Sequence, residues 1–425
     1  MLSRIADSLD GEGFAALAAA CAARPDADLF LSCAGADTPV CRIGVAPTGE
    51  CVVQEHTPRT EIAAFLFDTP GTALGCLPYE YGLARMGIAT DKVSSCPPGR
   101  FRKYRVMLVY DMAAQTLDAE GDAAFARQML DAARQAPATS GQTYANQTCA
   151  APNTPLRESL DREGYMRGVE EVLEAIRSGM SYQLCLSSEY AAHVPGLDPA
   201  ALFMRLWREA PAPYYALYRL GAVTVISSSP ERFLSVREGR VLSQPIKGTL
   251  AFDTYTPDLD ARVTESPKES AELSMIVDLI RNDISAHCEY GSVRVRGHKS
   301  TFVVENLIQM YTNVTGRLRQ NSTCLDLLLD AFPGGSVTGC PKHSSMRIIE
   351  ALEPHARGMY CGSLVVVQDE RSMESNIAIR TATYDARDAV FRFHAGSGIV
   401  IDSKPEAEHK ETLAKASKFF RILGL

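Results

Sequence analysis

Apolar and polar positions along the chain fall into two periods. Residues 106–111 and 51–54 read as strands, whereas 122–135 repeats its apolar positions at helical spacing. Further on, 223–227, 362–367 and 389–394 read as strands set among long helical patterns. Strands and helices do not alternate one for one, so an α+β arrangement is expected rather than a doubly wound parallel sheet. No fixed-period repeat is visible. The stretch 136–159 is rich in Pro, Ser, Thr, Asn and Gln with no sustained period, which predicts a linker between an N-terminal region, 1–135, and a C-terminal region, 160–425.

Two of the helical patterns start alike and carry the same side chains. Ser266, Pro267 and Glu269 have the spacing of a capping box, with Leu273, Ile276, Val277 and Ile280 following as an apolar stripe. Glu269 and Glu272 share a face beside that stripe. Near the C-terminus, 403–406 offers a similar start, and the helix it opens carries Glu408, Glu411 and Lys415 along one side. Like charges at this spacing cost a few tenths of a kcal/mol unless relieved. Two such pairs are either solvated helix faces or the two halves of a hard-cation site for Mg²⁺.

The chain has 425 residues, 46% of them apolar and 22% charged, which excludes a disordered or low-complexity protein. With net charge −8 and no basic stripe, nucleic acid is not an expected partner. The longest apolar run, 14–23, is too short to cross a bilayer, so no membrane partner is expected. Asp7, Asp10 and Glu12 stand where a secretory signal would be basic, and a cytoplasmic location is expected. The 12 cysteines are scattered without metal spacing and read as buried reduced thiols.

Three short segments could carry chemistry. The small-residue stretch 332–342 leads into a helical pattern ending at Pro354; its amides would either receive a carboxylate or serve only a tight packing turn. It lacks the Gly-Lys-Ser/Thr of a nucleotide loop. Lys247 is either a surface ammonium or a nucleophile, the latter only if a pocket lowers its proton affinity. Glu231 could simply pair with Arg232 or the solvent.

In this order the segments resemble the chorismate-utilising enzymes. The landmarks are SSSPERF (227–233), QPIKGT (244–249), ELSMIVDLIRND (272–283), FPGGSVTGCPK (332–342), RGMYCGS (357–363), NIAIRT (376–381) and AGSGIVIDSKPEAEHKET (395–412), with a weaker match at LGCLPYEYGLARM (74–86). The resemblance implies two stacked, mainly antiparallel sheets with outer helices and a cleft between the sheets. It implies Glu272 and Glu411 as Mg²⁺ ligands, with Glu269 and Glu408 nearby. Tyr360, Arg380 and Lys415 match positions that hold the carboxylates of chorismate, helped by the amides around Gly396 and Gly398, with Gly248 and Thr249 also against the substrate.

The branch of the family is implied by two positions. Gln183 stands where the water-using members have a general-base lysine, and an amide cannot take a proton from water. Lys247 stands where anthranilate synthases usually have Ala and resembles the aminodeoxychorismate type. Its amine would attack C2 of chorismate, Glu231 would protonate the departing C4 hydroxyl, and ammonia would then displace the lysine by attack at C4. The ammonia would come from a glutamine amidotransferase partner. Alternatives are an anthranilate or 2-amino-2-deoxyisochorismate synthase, and a non-catalytic chorismate-binding subunit. Gln309 replaces the family's usual histidine, 364–368 departs from the usual continuation, and LFLSCAG (29–35) matches the tryptophan-control segment poorly, so tryptophan feedback is not expected.

Overall fold

The computed structural model describes residues 2–33, 39–135, 152–209, 212–252, 254–304 and 307–424. The expected strands form with shifted ends: 106–111 is the second half of Gly99–Asp111, Val40–Val53 covers 51–53 but not Gln54, and Ser363–Asp369 covers 363–367 but not Gly362. The helix expected over 122–135 is Ala123–Gln135, opened by Asp122, whose carboxylate accepts from the Phe125 amide.

Two antiparallel sheets share one long strand. Gly99–Asp111 pairs along its length with Val40–Val53, but its first half also pairs with Ala73–Leu77 and its second half with Thr116–Gly121. From Val40–Val53 the first sheet runs through Ala27–Leu31, Tyr214–Leu220, Val223–Ser229, Thr381–Asp385 and Val390–Ile399 to Gln183–His193. From Ala73–Leu77 the second runs through Ser363–Asp369, Ser372–Asn376, Arg232–Arg237 and Arg240–Gln244 to Leu307–Arg317, which also pairs with Ile246–Ala251.

The sheets stack face to face. Leu74, Cys76, Leu364 and Val366 of the second sheet pack with Tyr218, Leu220, Val223 and Val225 of the first. Their chain neighbours Ala73, Leu77, Val365 and Val367 turn the other way, into a core shared with the helices Pro267–Ser285 and Cys324–Ala331. Both faces of Ser363–Asp369 are therefore buried, which is why its sequence is an unbroken apolar run rather than an alternation. The first sheet's outer face packs against Gly11–Ala22, Pro199–Glu209 and Pro405–Leu423.

The segment 136–159 divides the chain, but not into two cores. Ala27–Leu31 pairs with Tyr214–Leu220, and Ala73–Leu77 pairs with Ser363–Asp369, so the N-terminal region contributes strands beside those of the C-terminal region in both sheets. Most of the expected linker lies outside the described residues; its end, Arg157–Glu158, pairs with Ala191 and Tyr190. Among the described residues the cysteines are free, and each is buried or half-buried. No described helix is long and apolar enough to cross a membrane.

Candidate active site

The chain passes from one sheet to the other at Pro230 and Glu231, and again between Ile377 and Arg380. The two crossings are tied together: the Ile377 amide donates to the Glu231 carbonyl at 3.0 Å, and the Ser228 amide to the Arg380 carbonyl at 3.1 Å. Arg380 has φ 52°, a left-handed conformation that a non-glycine residue adopts at a cost and that commonly marks a functional position. Beside these crossings lies a cavity of about 390 Å³, a volume suited to a small organic ligand.

Lys247 and Glu231 meet in this cavity. Lys247 Nζ donates to the Ser336 carbonyl at 3.3 Å. Burial pushes the Glu231 carboxyl up to about 7, although the Ser336 hydroxyl, the Lys247 ammonium and the Ile246 amide all favour its ionised form. Ser336 thus touches both groups, a link the sequence did not announce. The loop 332–342 is otherwise tightly packed: a side chain on Gly334 would meet Ile377 at 2.3 Å, and one on Gly335 would meet Leu279 at 2.4 Å. Its role as a packing turn is visible, and Ser336 and Val337 are its residues on the cavity wall.

Three of the four expected acids line the cavity: Glu269 and Glu272 from Pro267–Ser285, and Glu411 from Pro405–Leu423. Ser266 caps the first helix by accepting from the Glu269 amide, and Glu269 lines the cavity. Gly248 makes room for it: at φ 70°, a side chain there would sit 3.3 Å from Glu269 Oε2 and from Met310 Cε. Glu411 pairs with Lys415 at 2.7 Å. Glu408 differs from expectation. It is not among the cavity-lining residues, and its carboxylate accepts the Ser403 hydroxyl at 2.6 Å. The N-cap of this helix is Lys404 rather than Ser403, so Ser403 does not cap and bonds Glu408 instead. Among the described residues, no three acids, histidines or cysteines close into a metal cage.

Lys415 Nζ also donates to the Gly396 carbonyl at 3.1 Å, and Arg380 donates to the Lys415 carbonyl. Tyr360, Gly396, Gly398 and Gln309 also line the cavity. Gly398 lies close to both side chains: a Cβ there would be 2.8 Å from Gln183 Nε2 and 3.4 Å from Lys247 Nζ. Thr249 pairs through its backbone with Gln309, and its side chain lies outside the described residues. His394, Cys185 and Ile379 line the cavity without having been expected there. For His394 a signal existed, because residues 394, 396 and 398 of one strand share a face. Leu31 and Ser32 of the LFLSCAG segment line a second cavity, of about 330 Å³, away from Lys247.

Comparison with known proteins agrees with this architecture. The chain is 40% identical to aminodeoxychorismate synthase component 1 of Klebsiella aerogenes over 63% of its length and 59% of that protein's. It is 36% identical to anthranilate synthase component 1 of Bacillus caldotenax, covering 62% of this chain and 52% of the other. A match to the aminodeoxychorismate synthase of Streptomyces griseus, 32% identical, spans 86% of this chain and 52% of that one. The matches therefore cover little more than half the length of these relatives. Among solved structures, anthranilate synthase component I from Streptococcus pneumoniae superposes with a TM-score of 0.77 at 24% identity, over 94% of this chain and 93% of that one. The menaquinone-specific isochorismate synthase of Escherichia coli superposes at 0.76 and 17%, over 100% of this chain and 93% of the other; both likenesses concern the fold. A family model described as chorismate binding enzyme matches residues 42–421, and the chain belongs to that family.

Proposed function

We propose that the protein is an aminodeoxychorismate synthase component 1, which converts chorismate and ammonia to 4-amino-4-deoxychorismate. The observation that carries this reading is the convergence of Lys247 and the buried acid Glu231 on one cavity, with Ser336 touching both. The 40% identity to the Klebsiella aerogenes protein supports the same branch.

Arg380, Lys415 and Tyr360 hold the two carboxylates of chorismate, with Gly396 and Gly398 leaving the ring space to approach. Glu269, Glu272 and Glu411 would supply the ligands for Mg²⁺: their donors are hard oxygens, the type this ion prefers, and one or two of them suffice. A carboxylate as buried as Glu272, 7% exposed, is also stabilised by a cation. When bound, the ion would supply Lewis-acid polarisation of the substrate. The Lys247 amine attacks C2, both ring double bonds shift by one position, and the C4–O bond breaks as Glu231 gives its proton to the departing hydroxyl, releasing water. Ammonia then attacks C4, and the C2–N bond to Lys247 breaks as both ring double bonds shift back. The ammonia comes from a glutamine amidotransferase partner.

The similarity to anthranilate synthase component 1 supports a second reading, in which ammonia attacks C2 and Lys247 is a spectator. Incubation with chorismate, Mg²⁺ and ammonium, followed by chromatographic resolution of the isomers, separates the two. The expected product is the 4-amino isomer; exclusive formation of anthranilate removes the proposal, and binding without turnover indicates a non-catalytic subunit. Without ammonia, intact-protein mass spectrometry should find a substrate-sized adduct on Lys247. Lys247→Ala should abolish that adduct and shift product to the 2-amino isomer, and unchanged 4-amino product from this variant would contradict the covalent route.

A further inference from the structure

We propose that His394 is a positioning residue for Tyr360, fixing the phenol ring in the orientation in which it meets a substrate carboxylate. The inference rests on the chorismate-binding role proposed above for Tyr360. Both residues line the cavity, and their rings lie parallel, 5.3 Å apart at an interplanar angle of 10°. Tyr360 needs support from the side because it precedes Cys361, which has φ 62°; a strained turn delivers the ring, and packing must hold it there.

His394 is itself braced. Its Nε2 lies 3.3 Å from the Ala356 carbonyl and 3.7 Å from a Glu189 carboxylate oxygen. Behind it the His355 ring sits at 5.2 Å, with Nδ1 bonded to Ser159 Oγ at 2.9 Å and Nε2 to Ser187 Oγ at 3.2 Å. Three elements distant in sequence thus converge to hold one imidazole against one phenol. Burial, with the repulsion from His355, holds His394 well below its usual proton affinity, so the stack is between two neutral rings. An offset or parallel aromatic pair resists rotation of either ring and contributes beyond simple burial.

The test is a double-mutant cycle on the full chain, read as chorismate affinity by calorimetry in the presence of Mg²⁺ and, separately, as KM against kcat. His394→Ala should weaken chorismate binding about fivefold, a factor typical of losing one aromatic contact. The loss should fall on KM more than on kcat. His394→Phe, which keeps a ring against Tyr360, should restore affinity to within about twofold of wild type. In a Tyr360→Ala background, His394→Ala should cost nothing further, because the group it acts through is gone. Wild-type affinity in His394→Ala, no rescue by Phe, or an equal loss in the Tyr360→Ala background would each overturn the role. A wild-type chain that bound no chorismate would remove the proposed function and this role together, whereas normal wild-type binding beside an unaffected His394→Ala would remove the role alone.

Discussion

At Glu231, opposing influences meet on one carboxyl. Burial outweighs the Ser336 hydroxyl and the Lys247 ammonium and lifts it from 4.5 to about 7. Between those values the folded chain retains a proton that the unfolded chain has already released. Stability therefore falls as pH rises through the window, by at most about 1.4 kcal/mol per pH unit from this group. Glu231→Gln lacks that slope, so its Tm relative to wild type should climb from about pH 5 to about pH 8, in scanning calorimetry at fixed ionic strength. The same titration sets the sign for catalysis. As the acid that protonates the leaving hydroxyl, Glu231 is competent only while protonated, so wild-type turnover should decline above about pH 7, and Glu231→Gln should suppress amination throughout. A flat Tm difference would show that the carboxyl is not buried as described. Neither the shift nor its cause was legible in SSSPERF, because the burial that raises it arises only where two sheets close on each other, and the groups that oppose it, Ser336 and Lys247, are remote in sequence.

Elements fix which side chains reach the cavity, and here local sequence was informative to different degrees at two similar helices. Ser266 was legible as a cap because capping is decided within four residues, and the helix it opens turns Glu269 and Glu272 to the cavity together. The start at 403–406 looked equivalent, yet the helix begins one position later, which takes Ser403 out of the cap and into a bond with Glu408. Three residues apart on that helix, Glu408 and Glu411 project about 60° apart around its axis, and only Glu411 is on the cavity wall. His394 shows the complementary limit: the strand was legible, but its inward face depends on pairing with Gln183–His193, where Gly396 lies opposite Ser187 and Gly398 opposite Cys185. Ser266→Ala removes the cap and should destabilise the chain by about 1 kcal/mol. Because the first turn also carries Glu269, the same variant should bind Mg²⁺ more weakly in the presence of chorismate, as read by metal titration. Unchanged metal affinity beside a lowered Tm would mean that Glu269 contributes no ligand.

The whole molecule depends on strands that the linear order of the chain keeps far apart. Composition marked 136–159 as a break, and nothing in a local pattern could reveal that Ala73–Leu77 completes the sheet containing Ser363–Asp369, since strand pairing over such separations leaves no periodic trace. The consequence is measurable. A fragment spanning 160–425 lacks the partners of both Tyr214–Leu220 and Ser363–Asp369, and it exposes Leu364 and Val366, which are buried between the sheets in the full chain. Open edges of that kind invite association rather than folding. The fragment should show no cooperative thermal transition, and residues 1–135 expressed alone should behave likewise, whereas the full chain should unfold in a single calorimetric step. Leu364→Ala, at the layer between the sheets, should lower that one step by about 2–5 kcal/mol without splitting it. Two resolved transitions in the full chain, or a cooperatively melting fragment, would mean that the sheets fold independently; the cleft between them would then be an interface free to open, and the spacing of Lys247 from Glu231 would no longer be set by a common core.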